Sequence, residues 1–126
     1  MKLYITSRMR LSELRKLFRR YYPYLQPQLL SDEYCGNAGA TGGASSETLG
    51  GLAGRDFNCE LDIDRTSTVA AVEEGFRKLC GLCIQIFRRG PHYWEDILQK
   101  DLQTLEQQNN MGRVVSRGMY ESDLLL

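Results

Sequence analysis

The 126-residue sequence predicts an α+β fold built from two consecutive β-α-β units. Three observations lead to this prediction. Apolar residues recur at a fixed offset on either side of a glycine-rich segment. Each recurring segment changes from the two-residue period of a strand to the spacing of a helix and then back. A turn signal, Gly90-Pro91, then precedes a further strand pattern and a further helix pattern.

The two units, residues 1–30 and 56–90, align when residues 3–30 are placed on residues 61–88, an offset of 58. Each unit begins with an alternating strand and continues with apolar residues at helical spacing. The matched residues are Leu3 and Ile5 with Leu61 and Ile63, Leu11, Leu14 and Phe18 with Val69, Val72 and Phe76, and Tyr22 and Leu25 with Cys80 and Cys83. The pattern therefore indicates an internal repeat.

The helical spacing predicts a first helix over 10–22 and a second over 69–80, with Thr68 as the N-cap of the second. In the strands that follow the two helices, the apolar residues do not fall at matching positions: they are Leu25 and Leu29 in 24–30, but Leu82, Ile84 and Ile86 in 82–88. A one-residue slip or bulge would bring the two strands into agreement. Two tandem β-α-β units are typical of a ferredoxin-like split β-α-β sandwich, with one four-stranded antiparallel sheet and both helices on one face. Pro27 fits an edge strand, since an edge tolerates a missing N–H.

Composition predicts a single domain over 1–112, with a flexible glycine-rich loop over 31–55 and a tail over 113–126. An appended strand and helix occupy 91–112. The strand covers His92–Ile97 and pairs back onto 82–88. The helix covers about 105–111, begins with a capping box formed by Thr104 and Gln107, and is closed by Gly112.

No apolar run approaches the length of a membrane span, and the start of the chain lacks the apolar region of a signal peptide, so we expect no membrane association. Four cysteines without an export signal predict reduced thiols and a cytoplasmic location. The formal net charge of zero conceals segregation. Residues 1–30 carry seven basic side chains and one acidic one, whereas 31–64 carry one basic and seven acidic.

The motif Cys80-Gly-Leu-Cys83 suggests redox or metal chemistry, but its position is wrong for both. A redox pair lies at the start of a helix, whereas this pair ends one. Cys35 and Cys59 form no second C-x-x-C that would complete a zinc site. We therefore expect these thiols to pack in the core. His92 is the only histidine, and no nucleophile is placed to use it as a base. The sequence predicts no catalytic residue, metal or cofactor, and no enzyme.

Two groups of residues are candidates for binding. Basic residues on the polar side of the first helix are suited to phosphate contacts, with Tyr21 and Tyr22 nearby for stacking; they are Arg8, Arg15, Lys16, Arg19 and Arg20. A solvated helix face with no ligand explains the same pattern. The second group is the hairpin around Tyr93, Trp94 and Glu95, because tryptophan and tyrosine are favoured interface anchors. Outward carboxylates at Glu60, Asp62 and Asp64 argue against nucleic-acid binding on the sheet, and pairing with Lys2 is expected.

The second half carries the motifs Gly81-Leu-x-Ile-Gln-Ile-Phe-Arg88, Trp94-Glu95 and Thr104-Leu-Glu-Gln-Gln-Asn109. With these motifs, residues 61–112 resemble a group of small bacterial proteins that pair a helix-then-strand unit with a W-x-E strand and a T-L-E-x-Q-N tail. That group has no assigned activity. The resemblance therefore implies a shared fold and supplies no catalytic residues.

The sequence thus favours a non-enzymatic protein-interaction or adaptor module whose partner is a protein. Nucleic-acid binding through the basic first helix is the alternative. The pathway, the partner's identity and the oligomeric state are not readable from the residues.

Overall fold

The computed structural model describes residues 1–30 and 48–117, and it confirms the α+β class. The helix Val69–Gly75 continues as one π-helical turn, Phe76–Cys80. The elements in chain order are β1 (Lys2–Thr6), α1 (Leu11–Tyr21), β2 (Leu25–Leu29), α2 (Leu49–Ala53), β3 (Asn58–Asp62), α3 (Val69–Gly75), β4 (Ile84–Arg89), β5 (Trp94–Asp96) and α4 (Leu105–Val115).

The strands form two antiparallel sheets, β1–β3 and β2–β4–β5, and not the single four-stranded sheet expected of a ferredoxin-like sandwich. In that fold β2 lies beside β3, whereas here it pairs with β4. Both arrangements bury the same alternate residues of each strand, so the two-residue period could not distinguish them. The predicted fifth strand is confirmed and pairs with β4, but it is short.

Each strand of one unit pairs with its counterpart in the other. Buried residues match at the offset of 58 in the first strands, Leu3 with Leu61, and at 57 in the second strands, Pro27 with Ile84. The change from 58 to 57 is the one-residue slip expected from the sequence. It arises between helix and strand, where Pro23 and Tyr24 separate the buried Tyr22 and Leu25 but only Gly81 separates the buried Cys80 and Leu82.

Pro27 sits in β2 without costing a ladder hydrogen bond. The amide of Arg89 donates to the Tyr24 carbonyl at 2.8 Å and that of Leu30 to the Cys83 carbonyl at 2.8 Å. Hydrogen-bonded and non-hydrogen-bonded pairs alternate along an antiparallel ladder, and these two bonds show which pairs are which. Pro27 and Ile86, which lies opposite it on β4, form a non-hydrogen-bonded pair. The missing N–H of Pro27 therefore faces the free edge of β2 in the described sheet, as predicted for an edge strand.

The core forms from positions that the sequence matched between the units. Leu11, Leu14 and Phe18 of α1 are fully buried, as are Val69 and Phe76 in the second helix. Helical spacing after Phe18 and Phe76 predicts Tyr21 and Leu79 as the next inward residues, but both are exposed. The residue that follows each of them, Tyr22 and Cys80, is buried instead. The Tyr22 hydroxyl donates to the Ile63 carbonyl, and burial is the main reason that the pKa of Tyr22 rises to about 12.

The starts of α3 and α4 agree with the predicted caps, but the end of α4 does not. Thr68 accepts a hydrogen bond from the Ala71 amide at 3.1 Å, and Thr104 and Gln107 form the expected capping box. However, α4 continues past Gly112 to Val115, into the predicted tail. Gly112 is needed inside the helix because a Cβ there would lie 2.9 Å from the Cβ of Tyr24.

The structure also corrects part of the glycine-rich loop predicted over 31–55. Its first part, 31–47, lies outside the described residues, but its last part forms the short helix α2. The Thr48 side chain caps this helix, and Leu49 and Leu52 are buried in the core. A glycine-rich composition concealed these two leucines, whose spacing of three residues places them on one helical face.

The cysteines are the largest correction to the sequence analysis. Cys80 is buried as expected, but it is bonded to Cys59 of β3 in a disulfide. Cys83 is also disulfide-bonded, so none of the described cysteines is a free thiol. The bond joins β3 to the end of the second helix, two elements that pack on the same core. The sequence suggested reduced thiols because no export signal was found, and spacing alone cannot show which cysteines meet.

A partly buried ion pair joins α3 to the segment after β5. The Glu73 carboxylate accepts a hydrogen bond from the Ile86 amide at 2.8 Å and contacts the Lys100 ammonium at 3.0 Å. The Ile86 amide points away from β2, and β5 does not extend far enough to pair with it. Burial raises the pKa of Glu73 despite these two partners.

We expect removal of the Cys59–Cys80 disulfide to lower stability by about 3 kcal/mol, because the bond closes a loop across a sequence separation of 21 residues. Urea denaturation of the C59A/C80A variant and of the oxidised wild type measures this difference. The C59A variant should be about as unstable as the double variant. Equal urea midpoints for the wild type and C59A/C80A would contradict the assigned pairing.

We expect Glu73→Gln to remove a pH dependence of stability. Because the pKa of Glu73 is raised in the folded protein, the folded state binds more protons than the unfolded state above the ordinary value of 4.5. Wild-type stability therefore falls as pH rises through this window, and E73Q should lack that slope in urea denaturation. The matched control is Glu74→Gln. Arg77 lowers the pKa of Glu74, so this variant should change the slope in the opposite sense.

Candidate functional site

The helix α1 forms because its apolar residues recur at helical spacing and bury one face. The opposite face carries Arg15, Lys16, Arg19 and Arg20, in two rows that each join residues four apart. Neither row contains a carboxylate. The only acidic residue of α1 is Glu13 in the first turn, where its side chain accepts a hydrogen bond from the Arg10 amide. The basic face predicted from the sequence is therefore present.

A groove of about 420 Å³ runs between this face and the start of β2. Among the described residues that line it, four side chains are cationic and none is acidic; these residues are Ser12, Arg15, Lys16, Arg19, Arg20, Pro23 and Gln26. The groove follows from the turn at Pro23, which brings the chain back along the helix into β2.

Arg15 is held in place at the edge of the groove. Its Nε donates to the Pro27 carbonyl at 3.1 Å. Desolvation by burial lowers the pKa of Arg15 from its ordinary value, but an arginine remains charged in proteins. The guanidinium is therefore a fixed cation that has lost part of its hydration.

A second concavity of about 470 Å³ adjoins the first, since Arg19 and Pro23 line both. Its other lining residues are Tyr24, Arg89, Trp94 and Ser116. The Arg19 guanidinium lies 5.4 Å from the Trp94 ring centroid, and that of Arg89 lies 5.6 Å from it, within range for cation–π attraction. We call the two concavities together the Arg–Trp groove.

The cations of the Arg–Trp groove are not neutralised within the described part of the chain. Arg15, Lys16, Arg19, Arg20 and Arg89 form no ion pair with any carboxylate among residues 1–30 and 48–117. Other basic residues behave differently. Lys2 contacts Glu60 at 3.8 Å and Asp62 at 3.6 Å, as predicted for the outward carboxylates of β3.

The structure joins the two residue groups that the sequence treated as separate sites. Arg19 lines both concavities and lies beside Trp94, so it connects Trp94 with the concavity that Arg15, Lys16 and Arg20 line. Arg8 does not line it. Tyr93 is exposed but lies outside the lining, and Glu95 turns away to pair with Arg88 at 3.2 Å. Trp94 itself is partly buried, and its ring lies beside the C-terminal end of α1.

Sequence reasoning missed Arg89, Pro23, Tyr24 and Ser116. A signal for Arg89 was available, because the predicted pairing of the fifth strand onto 82–88 brings Arg89 close to Trp94; the two lie opposite each other in the ladder. Tyr24 and Ser116 depend on the packing of α4 against β2, which no local pattern in the sequence indicates.

The remaining candidates give no second site. His92 is exposed, and among the described residues no three His, Cys, Asp or Glu side chains are grouped as metal ligands would be. Within the same part of the chain, none of the helices combines the length and the apolar character that a membrane span requires.

Comparisons with protein-family models, with curated proteins and with solved structures found no match to this chain. Any functional conclusion therefore depends on the geometry of the Arg–Trp groove.

We expect Arg19→Ala combined with Arg89→Ala to make Trp94 more accessible to solvent, since both guanidinium groups lie over its ring. Trp94 is the only tryptophan, so its fluorescence reports this position alone. The measurement is acrylamide quenching, which should increase in the double variant. Arg20→Ala is the control and should leave quenching unchanged, and the arrangement around Trp94 is wrong if the double variant behaves like this control.

Proposed function

We propose that this chain is a non-enzymatic interaction module that binds an acidic segment of a partner protein in the Arg–Trp groove. The observation that carries the proposal is the set of five cations along two adjoining concavities, none with a carboxylate partner in the described chain and two of them beside Trp94. Surface cations that are not neutralised within a fold are available to a partner of opposite charge.

The spacing of the cations favours an extended partner. Arg15 and Arg19, like Lys16 and Arg20, are four residues apart on α1, which corresponds to a rise of about 6 Å. Alternate residues of an extended strand are separated by roughly 6.6 Å. An extended segment with carboxylates at alternate positions would therefore face successive cations along each row.

The energetics predict modest affinity. An exposed ion pair contributes about 0.2–1 kcal/mol, and salt weakens it. Arg15 can contribute more, because its guanidinium is fixed by the Pro27 carbonyl and partly desolvated. Trp94 adds an aromatic surface at one end of the groove, the kind of anchor that dominates many interfaces. Binding in the micromolar range that weakens steeply with salt follows from these terms.

The cysteines bear on where such a partner would be met. Disulfides persist mainly in oxidising compartments. The Cys59–Cys80 bond therefore favours an oxidising compartment over the cytoplasm predicted from the sequence. We include this location in the proposal. The resemblance of residues 61–112 to small bacterial proteins also stays a proposal, and it adds no activity.

Nucleic acid is the second candidate occupant, favoured by the position of Trp94 and Tyr24 beside the cations. A base can stack on an aromatic ring while its phosphate meets an arginine. Two features make it the weaker candidate: the arginines already lie over the Trp94 ring, and the disulfide favours a compartment where nucleic acid is scarce. Both candidates predict salt-dependent binding, so the probe must distinguish them.

The test is fluorescence anisotropy with two labelled probes, an alternating Glu-Thr decapeptide and a mixed-sequence single-stranded oligonucleotide of similar charge. We expect the peptide to bind more tightly at low salt. The R15E/K16E/R19E variant should lose at least about tenfold in affinity, because the attraction of three cations for the acidic segment is replaced by repulsion.

The matched control is R8E/R65E/K78E, which makes the same change in net charge with exposed residues that do not line the groove. It should retain most of the affinity. Equal losses in the two variants would show non-specific attraction and contradict the proposed groove. Tighter binding of the oligonucleotide would replace the acidic segment with nucleic acid as the occupant.

A further inference from the structure

A separate cavity of about 460 Å³ lies between the β4–β5 hairpin, the segment 97–103 and α4. It shares no lining residue with the Arg–Trp groove. Its size is within the usual range of small-molecule sites, roughly 300–1,000 Å³. The residues that matter to its chemistry are Arg88, Glu95, Gln99, Gln103, Gln108 and Met111.

The base of the cavity is a rigid polar network. The Arg88 side chain is 11% exposed; its Nη2 contacts the Glu95 carboxylate at 3.2 Å and its Nη1 donates to Gln108 Oε1 at 3.2 Å. Gln108 is 3% exposed and donates in turn to Gln103 Oε1 at 2.9 Å. Buried polar groups that hold one another in this way present fixed hydrogen-bonding positions.

The described lining carries one cation, Arg88, and two carboxylates, Glu95 and Asp96. Arg88 is paired with Glu95, and Asp96 contacts Lys100 at 3.3 Å, but Lys100 does not line the cavity and is shared with Glu73. This excess of carboxylate charge disfavours an anionic ligand. The other polar groups at the surface are amides, which both donate and accept hydrogen bonds. The cavity is therefore better suited to a neutral ligand than to an anion.

The segment at the rim of the cavity is held in an unusual conformation. Gln99 has a φ of 54°, the only positive φ of a non-glycine residue in the described chain. Its carbonyl accepts from the Leu102 and Gln103 amides at 2.9 and 3.2 Å, which fixes the turn. Strained residues of this kind cluster at ligand sites. The side-chain amide of Gln99 and the Nε2 of Gln103 have no hydrogen-bond partner among the described residues.

We propose that this cavity binds a neutral polyhydroxylated ligand of monosaccharide size. Adjacent hydroxyls of a sugar both donate and accept, and so pair with the amides of Gln99 and Gln103. Met111 and Leu98 supply an apolar surface for the C–H face of the ring. This proposal does not depend on the Arg–Trp groove.

The experiment is a titration of the full ¹⁵N-labelled chain, followed by two-dimensional NMR, with glucose, galactose, mannose and N-acetylglucosamine as probes. At least one sugar should shift the side-chain amides of Gln103 and Gln108 and the amides of 98–103, with millimolar affinity. Gln103→Ala should weaken binding roughly tenfold, since it removes a hydrogen-bonding group worth about 1 kcal/mol or more.

Two controls keep the result specific. Asn110→Ala, on the exposed side of α4, should bind as the wild type does, and so should R15E/K16E/R19E, which tests the other surface. The proposal is overturned if none of the four sugars shifts these amides, or if Q103A binds as well as N110A. Tighter binding of glucuronate than of glucose would contradict the inference of a neutral ligand.

Discussion

The pairing of β2 with β4 is the constraint on which the rest of the structure depends. Because β4 has β2 on one side and β5 on the other, the hairpin that carries Trp94 is brought to the end of α1, whose chain continues directly into β2. The same pairing lets α4 cross β2 and β4, where Gly112 meets Tyr24 and Arg88. Both the Arg–Trp groove and the cavity at α4 border this three-stranded sheet.

Local features of the fold were readable from the sequence, whereas contacts distant in sequence were not. The periods of two and 3.6 residues located the strands and the three longer helices, and Thr68 and Thr104 marked two helix starts. The partner of each strand was not encoded locally. Leu25 and Ile86 alternate with polar neighbours in the same way whether β2 pairs with β3 or with β4, so the sheet arrangement could not be derived from alternation.

The candidate site was predictable to a similar extent. The basic face of α1 follows from helical spacing, and Trp94 was identified as an anchor, but their meeting depends on β2–β4 pairing. The same limitation explains the cysteines. Burial of Cys80 followed from the alignment of the units, yet its bond to Cys59 requires knowing that β3 packs beside the end of the second helix. The internal repeat itself stays a prediction.

The π-helical turn at Phe76–Cys80 limits how the chain tolerates a change in length. Deleting one residue there would let the helix wind regularly, but it would rotate everything after it by about 100°. Cys80 would then face away from β3, and Leu82 would begin the next strand out of phase. The disulfide and the following strand both hold the end of this turn in place, so a change in length here would not be absorbed as it is in a surface loop.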